Sequence, residues 1–436
     1  MTGTRLGIVV IAGLAGLLFG FDTAVISGVT QALRTVFGLS PAGLGAAVSS
    51  ALWGTLVGAL AMGIPGDRYG ARNCLRLVGV LYVASAIGCA LAPDVATFAA
   101  FRFVGGIAVG GSSVLAPVYI SEIAPAAWRG ALVGFFQFDI VLGILVAYLS
   151  NYVVGGIVPA DAAWRWRLGV AAVPAIVFLA LLLLIPQSPR WLAAKGRSVE
   201  AELAFRRLGM TVIVAPAAAR DELLSWRRHR RPILLAVVLA AFNQLSGINA
   251  ILYYLGDIFA AAGFGATSSD LQQVAIGATN LAATVAAMLA IDRFGRKTLL
   301  LAGSVGMVVA LAGVAAIMGL GRHQSLLIWM LAGFIASFAF SQGAVIWVYL
   351  SEIFPTPVRA RGQGVGSATH WICNAVISGL FPVVAASTRA LPFAVFAVCM
   401  ALQFLIVWRF FPETKGLELE RLDAALAGAG EPDTAP

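Results

Sequence analysis

Three ionisable side chains fall inside otherwise apolar stretches: Asp22, Arg102 and Asp139. A charge in such a place is expensive, and it marks a functional position together with the partner that offsets it. A carboxyl group pulled one way by burial and the other way by a nearby guanidinium can change protonation when its surroundings change. A second set is neutral: Gln137, Asn243, Gln244, Asn249, Tyr253 and Asn280, with His370 and the indoles Trp347 and Trp371. Amides beside flat apolar rings suit a polyhydroxylated ring, because each hydroxyl demands a donor or acceptor and the C–H face stacks on indole. Gln244 and Asn249 share a broad helix face, and Gly247 between them permits local unwinding. The alternative for any one amide is a satisfied bond between helices. Asp139 follows Gln137 by two positions, so it points roughly 200° away around the helix. It reads as a second partner for Arg102 or as a satisfied structural acid, the latter preferred.

Apolar runs of spanning length position these residues. They cover about 6–30, 41–65, 73–92, 95–122, 130–153, 167–185, 232–260, 270–291, 298–319, 325–352, 361–385 and 391–411. Hydrophobic residues make up 60% of the chain and charged ones 11%, far below the charge content of soluble domains. The first run is long enough to span, so it reads as a helix and not as a cleaved leader. The polar stretch 186–231 divides the runs six and six, and its interleaved Leu203, Phe205 and Leu208 predict short amphipathic helices at the membrane surface. Of 29 Lys and Arg, 23 fall on one side of the spans, five on the other, and Arg102 within one. That bias places the basic side and both termini in the cytoplasm. The net charge of +9 therefore reports topology and does not call for nucleic acid. Arg227, Arg228, Arg230 and Arg231 read as an anchor to anionic lipid; a regulatory role is the alternative. The cysteines Cys74, Cys89, Cys373 and Cys399 lie in apolar surroundings without metal-ligand spacing and read as buried thiols.

Two charged phrases occur twice. Val118-Tyr119-Ile120-Ser121-Glu122-Ile123-Ala124-Pro125 with Arg129 returns as Val348-Tyr349-Leu350-Ser351-Glu352-Ile353-Phe354-Pro355 with Arg359, 230 residues on. Asp67-Arg68-Tyr69-Gly70-Ala71-Arg72 returns as Asp292-Arg293-Phe294-Gly295-Arg296-Lys297, 225 residues on. The halves are therefore structural copies, as in parallel-repeat transporters. These carboxylates and guanidiniums can pair between helix ends of one half, holding one conformation and breaking in another. The competing reading is topology marking by solvated loops.

The motifs together resemble the sugar porter family of the major facilitator superfamily. The match rests on Gly20-Phe21-Asp22-Thr23-Ala24-Val25-Ile26-Ser27-Gly28, the Asp-Arg-x-Gly loops, the two Ser-Glu-Ile phrases, and Pro186-Gln187-Ser188-Pro189-Arg190-Trp191. It continues through Asn243-Gln244-Leu245-Ser246-Gly247-Ile248-Asn249 with Tyr253-Tyr254, and Phe411-Pro412-Glu413-Thr414-Lys415-Gly416. Within the family the chain most resembles bacterial proton-coupled xylose and glucose symporters. The resemblance implies an all-α membrane protein with the major facilitator fold, in which two pseudo-symmetric six-helix bundles (1–185 and 232–411) rock about a central site. Linker helices (186–231) and a tail (412–436) lie in the cytoplasm. It implies Asp22 as the proton-coupling acid, Arg102 as its partner, and sugar contacts at the amide, Tyr, His and Trp positions above. Three positions depart from the family pattern. Ala71 replaces an arginine, thinning the first network unless Arg72 substitutes; Gln187 replaces a glutamate; His370 stands where an amide is common.

The expected function is proton-coupled uptake of a monosaccharide through the inner membrane, with sugar, proton and lipid as partners and a monomer as the functional unit. No cofactor, metal or nucleic acid is expected. A facilitative uniporter or polyol transporter would share every motif. A membrane sugar sensor would want a longer signalling tail. No nucleophile–base set, P-loop or metal cluster suggests an enzyme. His370 has two readings: a titrating contact that weakens sugar binding in acid, or a neutral imidazole packed under Trp371.

Overall fold

The computed structural model describes residues 3–124, 128–208, 223–355 and 358–415, nearly all helical. In hydrocarbon every backbone N–H and C=O must be satisfied within the protein, which leaves a helical chain little alternative. Among the described residues, twelve helices are long and apolar enough to cross a membrane: α1 (Leu6–Gly28), α2 (Pro41–Ala61), α3 (Ala71–Leu91), α4 (Val95–Ile123), α5 (Gly134–Ile157), α6 (Ala160–Leu181), α7 (Trp226–Tyr253), α8 (Ala266–Ile291), α9 (Arg296–Leu320), α10 (Gln324–Glu352), α11 (Arg361–Ser387) and α12 (Leu391–Phe410). The protein is thus a multi-pass membrane protein.

Two boundaries differ from the sequence expectation for one reason. α6 begins at Ala160, not 167, and α8 at Ala266, not 270. The charges Arg165, Arg167 and Asp270 look like loop residues in sequence, but partners satisfy them within the helices. Arg165 donates to the carbonyls of Ala90 and Ala92 and lies over the Trp164 ring. Arg167 pairs with Asp270. α7 begins at Trp226 and takes in the arginine cluster, with non-helical backbone at His229 just before Pro232. The interleaved apolar residues of the linker do form short helices, Pro189–Ala194 and Ser198–Arg207. Leu192, Ala201, Ala204 and Phe205 form their own small core there, although Leu203 is exposed.

By packing, the chain divides into two compact units. The first holds Met1–Pro216, Ala250–Leu281 and Ser378–Val383; the second holds Ala217–Asn249, Ala282–Ile377 and Val384–Pro436. In the first unit α1 runs against α5, and α4 against α2 and α3. Glycine makes these approaches possible. A Cβ at Gly20 would overlap the carbonyl oxygen of Ile140, and one at Gly106 that of Ala51. Such contact replaces the hydrophobic driving force that lipid removes. A buried cluster that includes Val9, Leu75, Val78, Tyr119, Ile120 and Phe178 fills the bundle. Asp94 starts α4 as an N-cap, its Oδ1 accepting from the Thr97 N–H at 2.8 Å. That bond above all, with a second from the Thr97 hydroxyl, holds the exposed Asp94 carboxyl below its ordinary pKa. In the second unit the corresponding cluster includes Leu239, Leu300, Tyr349, Leu350 and Phe354. A π-helical segment, Ala339–Gly343, interrupts α10 before Trp347. All four cysteines are free, Cys74 and Cys89 fully buried and the other two partly so.

Candidate functional site

The intramembrane charges meet in the first unit. Arg102 on α4 is 3% exposed, and its Nη1 lies 2.8 Å from Oδ1 of Asp22 on α1. Nη2 reaches the Asp22 carbonyl at 3.5 Å, while Nε is buried without a hydrogen bond. Gly105, one turn beyond Arg102, leaves room beside Asp22 Oδ1 and the Ser85 hydroxyl. Neutralising Asp22 would leave a buried guanidinium without its counterion, a change worth several kcal/mol. Asp139 does not join this pair. It is buried on α5, its carboxylate fills the space opposite Gly13 of α1, and Oδ2 has no hydrogen-bond partner. Both sequence readings of Asp139 therefore fail: it neither pairs with Arg102 nor has both oxygens satisfied, because the α1 residue opposite it is Gly13, which has no side chain to bond it. Gln137 is half-buried two residues before it, and Tyr253 and Asn280 are buried in the same unit.

The second unit gathers the remaining neutral candidates around Gln244. Its Nε2 donates to Asn243 Oδ1 at 2.9 Å and lies 3.2 Å from both ring nitrogens of His370. Its Oε1 accepts from Asn249 Nδ2 at 3.0 Å. Gly247 makes this geometry possible, with φ +80° between the helical stretches that end at Leu245 and restart at Ile248. His370 on α11 lies between two indoles, 5.3 Å from the Trp347 ring and 5.0 Å, edge-on, from that of Trp371. Trp347 is 40% exposed and Trp371 buried, so the cluster offers one open aromatic face beside a bonded row of amides. Such a surface can hold a neutral, hydroxyl-rich ring by direct bonds and C–H stacking.

The duplicated loops fold alike but carry different charge. Gly70 and Gly295 both have φ near +85° (85° and 87°), and each starts the helix that follows, α3 or α9. A Cβ on Gly70 would strike Gln187; one on Gly295 would strike Glu413. In the second unit Glu413 accepts from the backbone N–H groups of Arg296 and Lys297, and Arg296 pairs with Glu352 at 2.9 Å. Thr414 donates to the other Glu352 oxygen, Lys415 Nζ to the Arg293 carbonyl, and Arg359 Nε to the Phe354 carbonyl. In the first unit Gln187 stands in for Glu413 and bonds only the Tyr69 carbonyl and the Ser188 N–H. Arg72 does not take over the missing arginine's role. It turns to Asn73 and the Ile185 carbonyl, and Glu122 Oε2 stays buried and unbonded. Asp67 is used through its carbonyl, which accepts from Trp191, and Arg68 lies over Tyr69. Among the described residues, then, this network contains an ion pair only in the second unit. Pro125, Arg220, the tail from Gly416, and the side chains of Arg5, Arg129 and Asp292 lie outside the described residues.

Glu413 was legible in sequence as part of a motif but not as a helix-capping partner, because its target amides, those of Arg296 and Lys297, lie more than 100 residues away. Replacing Glu413 by alanine strips acceptors from the start of α9. The expected cost is about 1–2 kcal/mol, with a much smaller loss for Gln187→Ala, as differential scanning of the purified protein in detergent would measure.

The comparisons with known proteins agree with one another. The sequence profile described as "Sugar (and other) transporter" matches residues 8–426. The D-xylose-proton symporter of Escherichia coli K12 is 35% identical over 96% of this chain and 94% of its own length. The arabinose-proton symporter of Bacillus subtilis is 36% identical over 94% and 93%. A structure of the E. coli xylose transporter XylE in a partially occluded inward-open conformation superposes with a TM-score of 0.84, at 33% identity, covering 96% of this chain and all of that one. With its twelve spans, its duplicated loops and these matches, the chain belongs to the sugar transporter family.

Proposed function

We propose that the protein is a proton:monosaccharide symporter of the bacterial inner membrane, with both termini cytoplasmic, working as a monomer by alternating access. The Asp22–Arg102 pair carries this reading: a single acid and its buried counterion on two helices otherwise free of charge at that level. A proton arriving at Asp22 Oδ1 cancels the attraction to Arg102 Nη1 and releases α1 from α4. Return of the pair expels the proton. The sugar hydroxyls bind Gln137, Asn243, Gln244, Asn249, Tyr253, Asn280 and His370, with Trp347 and Trp371 as apolar platforms. Pentose and hexose share this requirement, and the symporter names of the relatives point to that class. Pairing and release of the Glu352–Arg296 network accompanies the change of access.

One proton moving through 100 mV supplies ~2.3 kcal/mol, enough for roughly fifty-fold accumulation of a neutral sugar. Labelled xylose and glucose uptake with and without an uncoupler tests the assignment. Uptake that concentrates sugar only while the proton gradient stands supports symport, whereas uptake indifferent to the uncoupler would make the protein a uniporter.

His370 has a narrower role than its titratable ring suggests. The Gln244 amide approaches as a donor, so the bond needs a bare ring nitrogen, which a neutral imidazole supplies and an imidazolium does not. The expected result for His370→Gln is a sugar affinity that follows the wild-type profile from about pH 5 to 8. An acid-side loss of affinity in the wild type alone would show a titrating contact.

A further inference from the structure

The first unit contains a second buried ion pair that neither the proton pair nor the sugar cluster uses. Arg167 on α6 and Asp270 on α8 stand 2.5 Å apart, with side chains 12% and 9% exposed. Arg167 Nη1 also donates to the carbonyl of Gly28, the last residue of α1. Asp270 Oδ1 accepts from Gln273, whose own carbonyl oxygen accepts from the Ser27 hydroxyl at 2.6 Å. Two glycines make the space: a Cβ on Gly28 would meet Asn151 and Arg167, and one on Gly155 would meet both members of the pair. The cluster therefore ties the end of α1, the end of α5 and the start of α6 to the start of α8.

We infer that Arg167 and Asp270 form a charge latch that holds this mouth of the transport pathway closed and positions the segment following Asp22. The inference rests on the alternating-access reading. α1, α5 and α6 belong to the first sequence repeat and α8 to the second, so bonds among them must break whenever this mouth opens. An ion pair suits such a joint better than an apolar seam. Opening lets water reach both charges, and the recovered hydration offsets much of the lost attraction. Removing one partner does the opposite. It leaves the other charge buried and uncompensated in the closed state, which drives the mouth open. Gly28 lies six residues beyond Asp22, so the latch grips the same helix that the proton pair holds.

Accessibility tests this without reference to coupling or to sugar identity. Cys74, Cys89, Cys373 and Cys399 are first replaced by serine. Ile26, fully buried in the turn that ends α1, becomes the sole cysteine through Ile26→Cys. A membrane-impermeant maleimide is then added outside intact cells. Labelling should be slow with the latch intact. It should quicken about tenfold in Arg167→Gln and Asp270→Asn, the ratio that ~1.4 kcal/mol of lost closure gives. In the exchanged pair Arg167→Asp with Asp270→Arg it should fall back toward the parent rate. Should Arg167→Gln fail to assemble, Asp270→Asn decides alone, since the amide keeps the shape and a bond to Gln273. Parental labelling rates in the single variants, or an exchanged pair that labels as fast as they do, overturn the latch. A uniporter with these same labelling rates would overturn the symport reading and leave the latch standing.

Discussion

Asp22→Asn should leave a protein that exchanges sugar but no longer concentrates it. The amide is nearly isosteric with the carboxylate and still offers Arg102 an acceptor, so the protein should fold while α1 is freed from the charge that held it to α4. What it lacks is the charge that alternates. The mutant resembles the protonated state throughout the cycle, and no proton need travel with the sugar. At 100 mV the expected loss is the whole of the roughly fifty-fold gradient, ~2.3 kcal/mol of coupling. Counterflow of labelled sugar in proteoliposomes should persist, because it requires only binding and change of access. Both measurements matter. A mutant that concentrates sugar and collapses with an uncoupler would move coupling to another acid, and the buried Asp139, whose Oδ2 lacks a hydrogen bond, would be the first to examine. A mutant inactive in counterflow would show Asp22 to be a structural partner of Arg102.

Gln244→Ala should weaken sugar binding by about ten- to a hundredfold. The side chain is the hub of its cluster, donating to Asn243, approaching His370 and accepting from Asn249. Truncation removes one direct contact and leaves neighbouring groups without partners, each worth on the order of 1–3 kcal/mol when buried and unpaired. The change should appear in the dissociation constant measured by calorimetry on purified protein. Asn249→Ala, at the edge of the same row, should cost less, and Gln137→Ala tests the candidate of the other unit. Were Gln244 only a strut between α7 and α11, its loss would lower the melting temperature while the folded fraction bound sugar with unchanged affinity.

Much of this was legible in the chain alone. Span number follows from apolar run length, since a bilayer of fixed thickness demands helices of about 20 residues. The duplication follows from two charged phrases at nearly constant offset. Asp22 and Arg102 stand out because charges within apolar runs are rare and costly. The break at Gly247 was readable because only glycine adopts positive φ without penalty.

Long-range packing decided the rest, because contact between side chains far apart in sequence leaves no local periodicity. Sequence pattern cannot tell a loop charge from one satisfied across helices, so Arg167 and Asp270 read as span ends until their ion pair is seen. Nor could it say that Arg72 turns to a carbonyl and Glu122 Oε2 stays without a hydrogen bond, while Glu413 reaches back to cap α9. Asp139 shows the same limit, for its isolation depends on Gly13, the α1 residue that happens to face it. Residue types and spacing determined which groups are costly to bury; only the tertiary structure decided which of them found a partner.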